Sequence, residues 1–344
     1  MALNASARLM KRWLWDTQAR LLIGVAISLT LGWLSVRGMD WGLVVDQFQT
    51  FPIGWAVASL LIILLANLLR AYRWRALFVG QKLPLMRLFL VQNAGIGLNN
   101  MMPVRVVGEG AQFALLTLRY GVKSGTALGT LGMERILDMV VTATLLMAGL
   151  TLLPSKGEFL PYVVGAFVFA VASVIAVPAL IWLSRKSFLS RVPILVSTSD
   201  FLLSLSRNKA ALSYAFLLTL AHWLLIGVCA WALAFGMELG ITPLVATLAI
   251  LGTIYFTTAI PGLPAAAGTF EFAMVYVLKV FGVSQAQAFS YGVVIHTVLF
   301  LPPIVIAIVV FSSIGPSLLK ERESSRPTEG GKTISIDDQE RKNE

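Results

Sequence analysis

Charged residues are scarce in this chain of 344 residues, since only 13% are Asp, Glu, Lys or Arg, whereas 57% are hydrophobic. The mean hydropathy of +0.81 lies well above that of a soluble globular domain. Five stretches contain no charge at all: residues 47–69, 159–184, 210–237, 239–270 and 280–319. Each is longer than the roughly 20 residues that a helix needs to cross a bilayer. The composition therefore predicts an all-α polytopic membrane protein.

Cysteine and recognisable enzyme motifs are also lacking. Cys229 is the single cysteine, so no internal disulfide can form. The sequence has no glycine-rich phosphate loop, no zinc-ligand spacing and no glycine-flanked nucleophilic serine. We therefore expect no metal, no cofactor and no catalytic residue. Acid–base chemistry on a lipid, carried out by polar residues within the membrane, remains an open alternative.

The basic residues indicate the orientation in the membrane. The 27 Lys and Arg exceed the 17 Asp and Glu, which gives a net charge of +10. They stand in short clusters between apolar spans, which is typical of cytoplasmic loops and not of a nucleic-acid-binding surface. The clusters at 8–20, 70–87, 185–209 and 320–326 predict that both termini are cytoplasmic, in a plasma (inner) membrane. The weakly basic connections around Asp40–Asp46, Glu158 and Glu238 are then external.

With the sides assigned, about six spanning helices are predicted, over residues 21–36, 47–69, 125–153, 159–184, 210–235 and 285–313. The remaining apolar stretches, 84–120 and 243–282, must each begin and end on one side. Each has two apolar pieces around a Gly/Pro-interrupted centre, NNMMPVRVVGE in the first and PGLPAAAGTFE in the second. We expect two re-entrant helical hairpins. Two full membrane crossings in each stretch would also return the chain to the side on which it began.

The two halves of the chain resemble each other. Gly121 precedes Glu134 by 13 positions, and Gly282 precedes His296 by 14. Because the first hairpin opens inside and the second opens outside, we expect an inverted-topology repeat, as in secondary transporters whose substrate site lies between the repeats. The alternative is a chance similarity of Gly-rich apolar segments. The predicted organisation is a cytoplasmic segment at 1–20, repeat one at 21–153, repeat two at 159–313 and a disordered cytoplasmic tail at 316–344.

Charges inside apolar segments are the first candidate functional residues, because each costs at least about 2.5 kcal/mol on insertion scales. Glu134 and Asp138 are four residues apart and share one helix face, and Arg135 is three residues from Asp138 and can reach it. This group has an excess negative charge, for which Arg105 of the first hairpin is the expected additional cation. Arg105 lies beside the break at Pro103, where free backbone N–H groups and a guanidinium favour a phosphate ligand.

Glu109, Glu271 and His296 are further candidates. Each glutamate follows a hairpin break, so the alternative for both is a simple helix cap. His296 lies in an otherwise apolar helix, and the repeat places it opposite Glu134 and Arg135. The alternative for His296 is a neutral imidazole that is hydrogen-bonded to a neighbouring helix.

The segments NNMMPVRVVGE, ERILD and PAAAGTFE, the last followed by HTVLFLPP, resemble the lysylphosphatidylglycerol synthase transmembrane-region family of flippase-like proteins, over about residues 15 to 315. The resemblance implies a polytopic protein that moves a lipid between leaflets. The best-known members carry a cytoplasmic aminoacyl-lipid synthase domain; we expect a stand-alone member without that domain or its activity. The motif positions that match the family are Asn100, Pro103, Arg105, Gly108, Glu109, Glu134, Arg135, Asp138, Pro264, Gly268 and Glu271.

Two departures from the family pattern affect the expected site. Pro264-Ala265-Ala266 stands where many members have Pro-Gly-Gly, which should stiffen the second break. Gln112 stands where an arginine is common, which removes a positive charge. The resemblance also extends to members associated with hopanoid and other polyisoprenoid lipids, so the expected cargo is an anionic phospholipid or a lipid of that type.

The sequence thus predicts a lipid translocase without a nucleotide site. Two alternatives remain open: a non-catalytic membrane subunit that serves a lipid-synthesis or envelope-assembly enzyme, and an intramembrane lipid-modifying enzyme. The expected partner is a membrane lipid and not a nucleic acid. The candidate substrate-binding residues are Arg105, Arg135, Asn100, Glu109, Glu134, Asp138, Glu271 and His296.

Overall fold

The computed structural model describes residues 22–81, 83–102, 106–152, 160–184, 186, 191–259 and 263–324. Within these ranges the chain is helical and contains no strand. The helices are α1 (Leu22–Val36), α2 (Trp41–Thr50), α3 (Ile53–Leu77), α4 (Leu85–Met101), α5 (Val106–Ala114), α6 (Ser124–Thr151), α7 (Leu160–Ser184), α8 (Pro193–Arg207), α9 (Lys209–Gly236), α10 (Pro243–Ala259), α11 (Thr269–Val280) and α12 (Gln285–Ser324). A π-helical turn, Leu115–Arg119, extends α5, and a 3₁₀ turn, Pro264–Ala266, precedes α11.

In the described ranges, four helical segments are long and apolar enough to cross a bilayer: α3, residues Val163–Leu183 of α7, α9, and residues Gln285–Ser313 of α12. The pair α1 and α2 forms a fifth candidate, although the two helices meet at 85°. Helix α6 has 28 residues but carries three charges near its middle, so composition alone does not place it among the four. The polytopic helical class is confirmed.

The second predicted span has wrong boundaries. Residues 47–50 belong to α2, and α3 begins only at Ile53, because Pro52 cannot donate the next backbone hydrogen bond of a continuous helix. Helix α3 then continues to Leu77, eight residues beyond the predicted end at Leu69. The extension brings Arg70, Arg73 and Arg75 into the helix.

The core forms where α3 and α9 pack side by side in opposite directions. Trp55, near the start of α3, lies against Gly236 at the end of α9, whereas Arg73, near the end of α3, contacts Thr219. Small buried side chains along the seam, such as Ala66 and Ala230, let the helices approach closely. Against this seam pack α10, α11 and α12, through Ile250, Phe270, Met274 and Tyr291.

Short helices replace a long one at the two Gly/Pro-interrupted stretches. The 17-residue α4 packs on the nine-residue α5, and the 17-residue α10 packs on the 12-residue α11. All four are shorter than the roughly 20 residues of a full span. The breaks themselves, residues 103–105 and 260–262, lie outside the described residues. The candidates Pro103 and Arg105 are therefore not placed by the structure.

Helix α4 contacts α5, α12 and the turn before α11. A Cβ atom on Gly97 would overlap the carbonyl group of Pro303 in α12, so the α4 and α12 backbones touch there. Helix α4 also contacts the turn Pro264–Ala266, which follows the second break. Within the first hairpin, Gly108 lies against the carbonyl oxygen of Gly95. These close approaches need glycine, since any side chain would separate the helices.

The last helix overlaps the start of the predicted tail. Helix α12 continues through Ser324, whereas disorder was predicted from residue 316. The sequence LLKERE at 318–323 consists of strong helix formers, which explains the continuation. The rest of the tail, together with the predicted N-terminal segment 1–20, lies outside the described residues.

Replacing Gly97 with alanine should destabilise the protein by about 1–3 kcal/mol, because the new methyl group must displace the α12 backbone at Pro303. Thermal unfolding in detergent measures the effect. Gly132→Ala is the matched control, since it is also a helical glycine but a Cβ atom there has nothing within 4 Å. Equal melting temperatures for the two variants would contradict the close α4–α12 contact.

Cysteine labelling from either side of the membrane tests the topology. Cys229 is fully buried and gives little background. An exposed cysteine introduced as Thr242→Cys, between α9 and α10, should react with an impermeant reagent from outside, whereas Arg207→Cys should react only after permeabilisation. Labelling of Arg207→Cys in intact cells would reverse the predicted orientation.

Candidate functional site

A buried ion cluster joins three helices. It consists of Arg70 and Arg73 of α3, Gln92 of α4, and Glu134 and Asp138 of α6. The two Nη atoms of Arg73 donate to Glu134 and to Asp138, and Arg70 Nε donates to Glu134 Oε1 at 3.2 Å. Gln92 Nε2 donates to the same oxygen at 2.6 Å. The Arg73 side chain is 0% exposed and that of Glu134 is 5% exposed. Two positive and two negative charges cancel, so the cluster is neutral without a ligand.

Helix α9 completes the surroundings of this cluster. Trp223 Nε1 donates to Asp138 Oδ1 at 3.0 Å, and Arg73 Nη1 lies 3.4 Å from Thr219 Oγ1. One turn further along α6, the Thr142 hydroxyl bonds to the Tyr255 hydroxyl of α10 at 2.5 Å. Because removing one member of a buried ion pair leaves an uncompensated charge, the buried ion cluster holds the bundle together.

The predicted partner of Asp138 was wrong. Arg135 was expected to reach it, but Arg70 and Arg73 pair with Glu134 and Asp138. Arg105, the expected additional cation, lies outside the described residues, so that prediction is not tested. Two arginines three residues apart face two acids four residues apart, so both pairs occupy single helix faces. This complementary spacing was the feature of the sequence that could have predicted the pairing. It was missed because basic residues at the end of a span normally mark the cytoplasmic side.

Arg135 instead pairs with Glu109 in the first turn of α5. The two side chains are 45% and 31% exposed. Asn99 at the end of α4 donates to Glu109 Oε2 at 2.8 Å and accepts the backbone N–H of Gly108 at 2.6 Å. Asn99 thus joins α4 to α5, next to Asn100, whose predicted role in substrate binding the structure does not test. We call Glu109 and Arg135 the first-hairpin pair.

Glu271 and His296 form the corresponding second-hairpin pair. Glu271 Oε2 accepts the backbone N–H of Gly268 at 2.7 Å, and Glu271 Oε1 lies 2.5 Å from His296 Nδ1. Glu271 is therefore a cap and an ion-pair partner at once. His296 Nε2 lies 2.7 Å from the carbonyl oxygen of Ala265, on the turn after the second break. The rings of Phe270 and His296 stack with centroids 4.5 Å apart.

The contacts of His296 require a proton between it and Glu271. A carbonyl oxygen only accepts, so the Nε2 atom that faces Ala265 must carry a hydrogen. At 2.5 Å, Nδ1 and the carboxylate oxygen also need a hydrogen between them. Both ring nitrogens of His296 are thus placed to donate, one to the Glu271 carboxylate and one to the Ala265 carbonyl oxygen.

The two hairpin pairs match along the chain. Glu109 and Arg135 are 26 residues apart, and Glu271 and His296 are 25 apart. Arg135 follows Gly121 by 14 positions, as His296 follows Gly282. His296 was expected to lie opposite Glu134 and Arg135, but its partner is the glutamate of its own hairpin.

The structure shows what the residues at the two departures from the family pattern do. Ala265 and Ala266 adopt left-handed backbone conformations, with φ of 55° and 59°, and this turn presents the Ala265 carbonyl to His296. Gln112 is buried and donates to the carbonyl of Gln92 at 3.0 Å. Its side chain thus ties α5 to α4.

In the described part of the chain, no three His, Cys, Asp or Glu side chains are grouped to hold a metal ion.

Replacing Arg73 with alanine should reduce the free energy of unfolding by about 3–5 kcal/mol, because Glu134 and Asp138 would stay buried with too little positive charge. Thermal unfolding and the yield of monodisperse protein measure the loss. Arg75→Ala, two residues away on the exposed face of α3, is the matched control and should change stability by less than about 0.5 kcal/mol. Equal stability of both variants would contradict a structural role for the buried ion cluster.

Comparison with known proteins places the chain in a family. The family model described as the lysylphosphatidylglycerol synthase TM region matches residues 21–307, which include helices α1 to α11 and the apolar part of α12 that carries His296. No curated protein matches the chain. The matched range holds the buried ion cluster and both hairpin pairs, and it links the chain to a role related to membrane lipids. Because the match covers most of its length, the chain belongs to the lysylphosphatidylglycerol synthase TM region family.

Proposed function

We propose that the protein is a translocase that moves a lipid between the leaflets of the plasma membrane. The observation that carries this proposal is the first-hairpin pair. Arg135 and Glu109 lie within an apolar sequence, yet their side chains are 45% and 31% exposed. Exposure of an ion pair to hydrocarbon is unfavourable, so the pair faces a polar space. A lipid headgroup would enter this space while its tails remain in the bilayer.

The position of the pair supports a site between two inverted repeats. Helix α4, whose Asn99 holds Glu109, contacts the turn Pro264–Ala266, whose Ala265 carbonyl faces His296, so α4 and this turn connect the two hairpin pairs. In transporters built from inverted repeats, substrates bind where broken helices meet. We take 84–120 and 243–282 as re-entrant hairpins that enter from opposite sides. This arrangement would open the site to each leaflet in turn.

The first-hairpin pair can exchange its internal contact for a headgroup. A phosphate would compete with Glu109 for the Arg135 guanidinium, which binds two phosphate oxygens at once. Glu109 would keep its hydrogen bond from Asn99 when Arg135 is released. An uncharged hydroxyl headgroup would find a donor in Arg135 and an acceptor in Glu109, so the same pair suits a hopanoid or polyisoprenoid lipid.

The second-hairpin pair would supply a proton. Glu271 and His296 share one proton and have no other ionic partner among the described residues. Loss of that proton would leave a net negative charge at the second break and would favour release of an anionic headgroup. Glu134 and Asp138, which were candidate substrate-binding residues, are held by Arg70 and Arg73 and would instead maintain the bundle.

Reconstitution in liposomes with a leaflet-specific fluorescent phospholipid tests the proposal. Wild-type protein should accelerate exchange between leaflets. Arg135→Gln should slow that exchange at least about tenfold, because the charge-assisted hydrogen bonds to the headgroup are lost. Its melting temperature should stay within a few degrees of wild type, since a half-exposed pair contributes little to stability.

Arg207→Gln is the control for loss of one exposed positive charge, at the end of α8 and away from both hairpins. It should transport lipid at the wild-type rate. Full activity of Arg135→Gln would remove the first-hairpin pair from the mechanism. If wild-type protein moves neither phospholipid nor polyisoprenoid probes, the translocase proposal fails in favour of a subunit or an enzyme.

A further inference from the structure

A cavity of about 240 Å³ lies between the C-terminal ends of α1 and α11. This end of the bundle is separate from the buried ion cluster, because it also holds the start of α3 and the start of α12. The cavity is lined by Leu34, Arg37, Phe272, Tyr276, Lys279 and Gln285. Its volume is of the size of a polar headgroup, several times the roughly 30 Å³ of a water molecule.

Two cations meet in this cavity although cations are rare at this end of the bundle. Among the residues that the structure describes, Arg37 and Lys279 are the two Lys or Arg side chains found at this end. The others lie near the end of α3, the starts of α4, α6 and α9, the π-helical turn after α5, the middle of α6, around α8, or at the end of α12. The positive-inside rule assigns the weakly basic end to the outside. Two outward cations in one cavity therefore call for a ligand.

Arg37 and Lys279 lie at the C-terminal ends of α1 and α11, where helix dipoles favour cations, but carbonyl groups at both ends have other hydrogen-bond donors. Gln285 Nε2 donates to the carbonyl oxygens of Ser35 and Arg37, at 2.9 and 3.2 Å, and so satisfies the end of α1. At the end of α11, the carbonyl of Lys279 accepts the backbone N–H of Gly282 at 3.1 Å. Within the described ranges, neither Arg37 nor Lys279 forms a salt bridge.

Apolar and aromatic side chains line the cavity beside its cations and Gln285. Phe272 and Tyr276 stack with ring centroids 6.3 Å apart, and Tyr276 is 50% exposed. The Arg37 guanidinium lies over the ring of Trp33, 4.9 Å from its centroid. Exposed Trp and Tyr side chains mark the level of lipid headgroups in membrane proteins. An anion at this level, with an apolar chain beside it, matches the shape and charge of the cavity.

We propose that this cavity binds a phospholipid of the outer leaflet, with the anionic phosphate between Arg37 and Lys279 and part of the acyl chains against Leu34 and Phe272. The site is separate from Arg135. It does not rest on the translocase proposal, since a protein that moves no lipid could still bind one here.

Titration of the full chain in non-ionic detergent tests this site. The probes are short-chain phosphatidylglycerol, which is anionic, short-chain phosphatidylcholine, whose phosphate is neutralised by choline, and inorganic phosphate, which has no tail. Phosphatidylglycerol should bind most tightly to wild type. The double variant Arg37→Gln with Lys279→Gln should weaken its binding at least about tenfold, because both charge-assisted contacts are lost. Arg207→Gln, which also removes an exposed cation at a helix end, should bind as wild type does.

A second variant changes the space in the cavity but keeps its charge. Leu34→Trp keeps both cations but fills part of the space, so it should also weaken binding of phosphatidylglycerol. The Arg135→Gln variant should retain this binding, which distinguishes the site from the one between the hairpins. Wild-type affinity in the double variant would overturn the proposal, and so would inorganic phosphate or phosphatidylcholine that binds as tightly as phosphatidylglycerol. Loss of binding in Arg135→Gln alone would assign the lipid to the hairpins instead.

Discussion

The guanidinium of Arg73 is the contact on which the rest of the structure depends. It has no exposed surface and bonds to Glu134 and Asp138 at once, so α3 and α6 are fixed in rotation and height relative to each other. Since successive helical residues are turned by about 100°, a helix face that directs Glu134 towards α3 must direct Arg135 elsewhere. That direction is towards α5 and Glu109. The internal pairing of the cluster therefore creates the exposed pair beside the first break.

The charges within the bundle are of two kinds. The buried ion cluster is neutral and lies among α3, α4, α6 and α9, so a ligand could replace one of its members only by leaving another buried charge unpaired. The two hairpin pairs lie where the backbone is interrupted, and each joins a short helix to the long helix that follows. The first-hairpin pair can change partners at low cost, because its side chains are 45% and 31% exposed. The second-hairpin pair is about as buried as Arg70 and Asp138 of the ion cluster, and it differs from the cluster in its place beside an interrupted helix.

Close backbone contacts bring the two hairpins together. Gly97 and Gly108 allow α4 to approach α12 and α5. Gly268, with φ of 81°, lies against the carbonyl oxygen of Ser28 in α1, so a side chain would be both strained and obstructed there. Ala265 and Ala266 hold left-handed conformations that cost an L-residue roughly 1–2 kcal/mol each. The contact between the Ala265 carbonyl and His296 offsets part of this cost.

Composition determined that this is a helical membrane protein, because apolar stretches of this length have no other stable form in a bilayer. The spacing of Glu134 and Asp138 determined that they share a face, and the Gly/Pro centres determined where α4 and α10 end, since both follow from local backbone geometry. Only the tertiary structure decided which cations meet those acids. Arg73 comes from a helix 61 residues before Glu134 and Glu109 lies 26 residues before Arg135, and helix periodicity carries no information about which faces meet across such separations. The cavity at Arg37 and Lys279 likewise exists only because the ends of α1 and α11, far apart in sequence, are packed together.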